Sequence, residues 1–120
     1  MKGARILVMG FTFKENCADT RNTRVVDIVA ELRDYGAEVV IWDPVADPEE
    51  VRHEYGLALS DWQAEGEYVA VVAAVAHAQV CAIDLQSLAR CCQPGAVFMD
   101  VKSAFDRQAL RDAGMGVWRL

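Results

Sequence analysis

The chain has 120 residues, of which 53% are hydrophobic and 25% charged, a balance that suits one compact domain and excludes a disordered chain. Its formal net charge of -6 repels polyanions, so neither nucleic acid nor an anionic membrane surface is an expected partner. No stretch approaches the roughly 18 uninterrupted apolar residues of a membrane span, and Met1-Lys2-Gly3-Ala4-Arg5 does not read as a secretory leader, so a cytoplasmic location is expected.

Apolar runs alternate with helical patterns along the whole length, the signature of βαβ units and a parallel sheet. The first strand is expected at Arg5–Met9. A loop of unusual length follows, and then a helix capped by Asn22 with an apolar face of Val25, Ile28, Val29, Leu32 and Tyr35, stopped by Gly36. The second strand is expected at Glu38–Trp42. After it come ordered helix signals: Asp47 as cap, Pro48 at the first position, Glu49 and Glu50 in the first turn, Gly56 after the end.

Residues 57–59 read as a short edge strand, and the small and β-branched residues of 68–75 as a buried central strand. Asp84 caps a helix running to Cys92 that Pro94-Gly95 ends; residues 96–100 form the next strand, Asp106 caps a helix that stops at Gly114, and residues 115–119 close the sheet. Right-handed crossovers then favour a three-layer, Rossmann-like, doubly wound and mainly parallel sheet of five to six strands. The expected order is edge, second, first, 68–75, 96–100, last, which puts the switch point between the first strand and 68–75.

The chemistry concentrates in the first loop. Strand-to-helix connections usually need only about 2–6 residues, whereas Gly10 to Arg24 is longer and holds Lys14, Arg21 and Arg24 in an acidic chain. Concentrated cations at the carboxyl edge of a sheet suit a small anionic ligand, although solvated loop cations are common. The topology should bring Lys14, Arg21, Asp43, His77, Asp100 and Lys102 along that edge. Lys14 offers a flexible ammonium, and Arg21 a planar fork for a diphosphate.

Asp43 stands where a dinucleotide fold holds a ribose, but only Gly10 of the Gly-x-Gly-x-x-Gly fingerprint is present, so NAD should not bind here in that mode, and Asp43-Pro44 reads mainly as turn chemistry. His77 has no carboxylate partner visible in the sequence and reads as a structural histidine. Cys17, Cys81, Cys91 and Cys92 show no zinc spacing and are expected to be reduced, mostly buried thiols, with no catalytic or metal role.

Residues 5–16, Arg-Ile-Leu-Val-Met-Gly-Phe-Thr-Phe-Lys-Glu-Asn, with Asp19-Thr20-Arg21-Asn22-Thr23-Arg24, Trp42-Asp43-Pro44, Val75-Ala76-His77 and Asp100-Val101-Lys102-Ser103, resemble the C-terminal, UDP-binding domain of the UDP-glucose/GDP-mannose dehydrogenase family. The resemblance covers nearly the whole chain, residues 1–120 as a single domain. It leans toward the branch acting on UDP-N-acetylhexosamines, and implies a piece of a longer, homo-oligomeric, NAD-dependent enzyme that makes a uronic acid for surface polysaccharide. By that resemblance Lys14 and Lys102 face the UDP-sugar and Arg21 faces the NAD diphosphate, with Asp19 holding Arg21. The preceding Rossmann and central domains would supply the dinucleotide site and the cysteine nucleophile, leaving this chain inactive alone. Many relatives that use UDP-glucose carry an arginine where Lys102 stands, so the charge is kept and the fork lost. A freestanding nucleotide-binding or assembly module is the alternative reading; a phosphoacceptor receiver domain is disfavoured, because this chain has neither the acidic pair after the first strand nor the isolated aspartate after the central strand that such a domain needs.

Overall fold

A computed structural model describes residues 3–20, 23–63 and 66–119. Five strands, β1 (Arg5–Met9), β2 (Glu38–Trp42), β3 (Tyr68–Ala73), β4 (Cys92–Asp100) and β5 (Gly116–Arg119), form one sheet in the order β2-β1-β3-β4-β5. All four pairings are parallel. The expected order and switch point therefore hold. Residues 57–59 contribute only a single bridge, Leu59 to Ile41, so the outer strand shrinks to one residue pair.

Alternation along β1 explains the layers. Ile6 and Val8 face a core shared with Val25 and Val29 of α1 (Val25–Asp34) and Val51 of α2 (Pro48–Tyr55). Leu7 and Met9 face the opposite core with Val80 of α3 (Ala78–Cys81), Leu88 of α4 (Leu85–Arg90) and Leu110 of α5 (Arg107–Asp112). Each side of a doubly buried sheet thus receives half of one strand.

Caps read from the sequence hold at three helices: the side chains of Asp47, Asp84 and Asp106 accept from the backbone N–H two residues on. Gly56, at φ 67°, closes α2 in the left-handed conformation. Asn22 lies outside the described residues; α1 itself begins at Val25, whose N–H donates to Thr23 Oγ1 at 3.1 Å.

Three local expectations change. The helix expected to reach Cys92 stops at Arg90, because Cys92 already pairs with Tyr68, and the register then jumps so that Ala70 faces Val97. The extra residues form an irregularity in which Pro94 is accommodated. Tyr35 sits at the C-cap with 65% exposure rather than on the apolar face of α1. The thiols are less buried than expected: Cys81 is exposed, and Cys17, Cys91 and Cys92 are half-buried and free.

Candidate functional site

The register lines up the strand ends that build the site. Met9 pairs with both Trp42 and Ala73, and Ala73 pairs with Asp100, so the segments that follow β1, β2, β3 and β4 emerge at one level. Gly10 makes the tightest of these junctions, at φ 96°, where a Cβ would lie 2.5 Å from Val75 Cβ and 2.8 Å from Val75 N. Only glycine lets the chain leaving β1 pass the chain leaving β3 so closely.

Below this surface the expected edge residues turn inward. Asp43 is 6% exposed, and its two oxygens are divided between two tasks. Oδ1 accepts from the N–H groups of Val45 at 2.7 Å and Ala46 at 2.9 Å, the expected turn chemistry. Oδ2 accepts from Phe11 N at 2.6 Å and Thr12 N at 3.2 Å, and lies 3.0 Å from His77 Nε2. Burial pushes the Asp43 carboxyl up, but the amides of Phe11, Ala46 and Val45, with His77, outweigh it and hold the group below its ordinary range.

His77, fully buried, has the carboxylate partner that the sequence hid. Its Nδ1 accepts from Asn16 N at 2.8 Å, so the ring proton belongs on Nε2, shared between Asp43 Oδ2 and Thr12 Oγ1, each 3.0 Å away. The Thr12 hydroxyl in turn donates to Lys14 O at 3.0 Å. Asp100, also fully buried, folds the next turn in the same way: Oδ1 accepts from Ala104 N at 3.0 Å and Oδ2 from Phe105 N at 2.9 Å. These buried carboxylates shape loops.

Above them lies a cleft of about 410 Å³ over the switch point, lined by Lys14, Arg24 and Lys102, with Ile28, Val75 and Val101 supplying apolar wall. Lys14 and Lys102 are both exposed, and the structure brings them to the same cleft from segments 88 positions apart (102 minus 14). Arg24, assigned no role beyond its charge from the sequence, joins them from the N-terminus of α1, where the helix dipole also favours an anion. Glu15 is the acidic residue on its rim. Arg21, and with it the expected Asp19 to Arg21 pair, lies outside the described residues.

Three cations above an apolar wall can take a small polyanion carrying an uncharged portion. The junction after β1 does not fit NAD in the dinucleotide mode. Phe11 is fully buried where a glycine-rich turn would admit a pyrophosphate, and Asp43 is occupied by backbone amides rather than free for a ribose. Among the described residues no cluster of His, Cys, Asp and Glu could hold a metal ion, and no helix is long and apolar enough to cross a membrane.

Residues 7–107 match the UDP-glucose/GDP-mannose dehydrogenase family, UDP binding domain. The chain belongs to this family. Within the UDP-glucose/GDP-mannose dehydrogenases it is 40% identical over 104 residues to UDP-N-acetyl-D-glucosamine 6-dehydrogenase of Pseudomonas aeruginosa, covering 87% of this chain and 25% of that protein. It is 48% identical over 79 residues to the protein of the same name from Salmonella typhi, covering 66% of this chain and 19% of that one. Among solved structures, NDP-N-acetyl-D-galactosaminuronic acid dehydrogenase from Methanosarcina mazei superposes with TM-score 0.83 at 18% identity, over 98% of this chain and 24% of that one. The fold is therefore that of this family's UDP-binding domain, and the chain spans a quarter or less of the length of these two curated relatives.

Proposed function

We propose that the chain is the UDP-sugar-binding portion of a cytoplasmic, NAD-dependent UDP-N-acetylhexosamine 6-dehydrogenase that forms a uronic acid for surface polysaccharide. The observation that carries this reading is the cleft, because Lys14, Arg24 and Lys102 meet at the switch point of a domain that belongs to a UDP-sugar dehydrogenase family. The N-acetylhexosamine preference rests on the names of the two bacterial relatives.

In this reading the cations neutralise the diphosphate and the apolar wall packs against an uncharged part of the ligand. Lys14, on the loop closest to the switch point, shares in binding the diphosphate and also reaches the sugar, where it stabilises negative charge developing on its oxygen, an effect that acts mainly on the transition state. Lys102 offers a point charge without the bidentate geometry of an arginine. Arg21 meets the diphosphate of NAD held chiefly by another domain, and that domain's partner supplies the cysteine nucleophile; the whole works as a homo-oligomer. NAD, where bound, accepts the hydrides.

The test separates binding from chemistry. The chain mixed with NAD and UDP-N-acetylglucosamine should form no NADH, while calorimetry should detect UDP binding that weakens about three- to tenfold in Lys14→Ala and again in Lys102→Ala. NADH formation by the chain alone, or UDP binding indifferent to both substitutions, overturns the proposal.

A further inference from the structure

The first loop is fastened to the turn after β3 at two points that face each other. Asn16 N donates to His77 Nδ1 at 2.8 Å, and Ala78 N donates back to Asn16 Oδ1 at 2.8 Å. Asn16 adopts φ 58°, a left-handed conformation that asparagine tolerates better than most residues. Both contacts join residues more than sixty positions apart, so local turn propensity does not produce them. Lys14 stands two residues before the fastening, and its carbonyl oxygen is held by Thr12 Oγ1, which itself touches His77. The Thr12 and Asn16 anchors on either side of Lys14 thus converge on one buried imidazole, while Phe13 N separately donates to Asp19 O at 2.8 Å.

We infer that His77 and Asn16 are positioning residues for UDP-sugar binding: the imidazole fixes the loop so that the Lys14 ammonium stands over the cleft. This rests on the function proposed above. A cation on a free loop must lose conformational entropy each time it meets a phosphate, whereas one on a fastened loop has lost most of it on folding. His77 itself is fully buried and bonded on both nitrogens, so it acts through the loop and does not touch the ligand.

The two ring nitrogens can be tested separately. In His77→Asn the amide oxygen falls near the place of Nδ1 and can accept from Asn16, while the link to Asp43 is lost. His77→Gln does the reverse, placing a donor near Nε2 and leaving the Asn16 N–H without its acceptor. Both remove the ring, so both lower stability; only the positioning role distinguishes them. UDP affinity should fall about three- to tenfold in His77→Gln and return to within about twofold of the unaltered chain in His77→Asn. Asn16→Gly, which keeps the N–H and accepts the positive φ, should bind between the two.

Amide hydrogen exchange supplies a ligand-free readout, with Asn16 N–H protected in the unaltered chain and in His77→Asn but open in His77→Gln. Equal affinities in the two His77 variants, or equal protection of Asn16, overturn the inference. If the unaltered chain binds no UDP, the function proposed above fails on its own terms, and the exchange pattern alone decides whether His77 fastens the loop.

Discussion

Replacing Asp43 with asparagine tests the foundation of the site with one atom exchanged. The carboxylate uses both oxygens as acceptors: two N–H donors face Oδ1, and two N–H donors and His77 face Oδ2. An amide can turn either way, but its NH₂ always meets at least two donors. Hydrogen bonds to a charged acceptor are worth about 1.5–3 kcal/mol each, and leaving buried donors unmet adds to the loss, so Asp43→Asn should cost about 3–5 kcal/mol. That is a large share of the roughly 5–15 kcal/mol that holds a domain of this kind folded.

Urea unfolding followed by tryptophan fluorescence at neutral pH measures the loss. The pH dependence adds a second check. Because the folded carboxyl titrates below its ordinary value of 3.8, its stabilisation is fully present above that value and is lost as pH falls through the folded one. The gap between the two proteins should therefore be constant at neutral pH and narrow under acid. A cost under about 1 kcal/mol, or a gap that widens on acidification, would refute the account of Asp43 as the acceptor on which the first loop is built.

Gly10→Ala should destabilise the chain by about 2–5 kcal/mol in the same assay, since the added Cβ meets Val75 backbone at a positive φ. Raising the salt from about 0.05 to 0.5 M should weaken UDP binding several-fold, because the three cleft cations are partly solvated; a salt-independent affinity would exclude a charge-led site. Thiol labelling near pH 8 should modify exposed Cys81 well before Cys92, because burial, with Cys91 beside it, pushes the Cys92 thiol up to about 11 and leaves only about one part in a thousand as thiolate.

The strand order was legible because each strand is a short apolar run bounded by its own cap and stop signals, and right-handed crossovers leave few ways to arrange them. Asp47, Asp84 and Asp106 announced their helices for the same local reason. What stayed hidden depends on residues distant in the chain. The jump in β4 comes from pairing with Tyr68, so nothing near Pro94 revealed it. His77 read as an isolated histidine because its partners, Asp43, Thr12 and Asn16, meet it only once three strand ends are set side by side. Asp43 was half read: its turn was visible in Asp-Pro, its grip on Phe11 and Thr12 was not. Arg24 was undervalued because its place depends on where α1 begins, and the helix starts one residue after it.

The central claim is that this domain receives the UDP moiety over the carboxyl ends of β1, β3 and β4. Amide chemical shifts recorded during a UDP titration test it directly. The account predicts saturable shifts centred on Lys14, Arg24, Val75, Val101 and Lys102, the residues around the cleft. An absence of saturable shifts, or shifts gathered at the opposite edge around Arg5, Arg33 and Glu38, would contradict it.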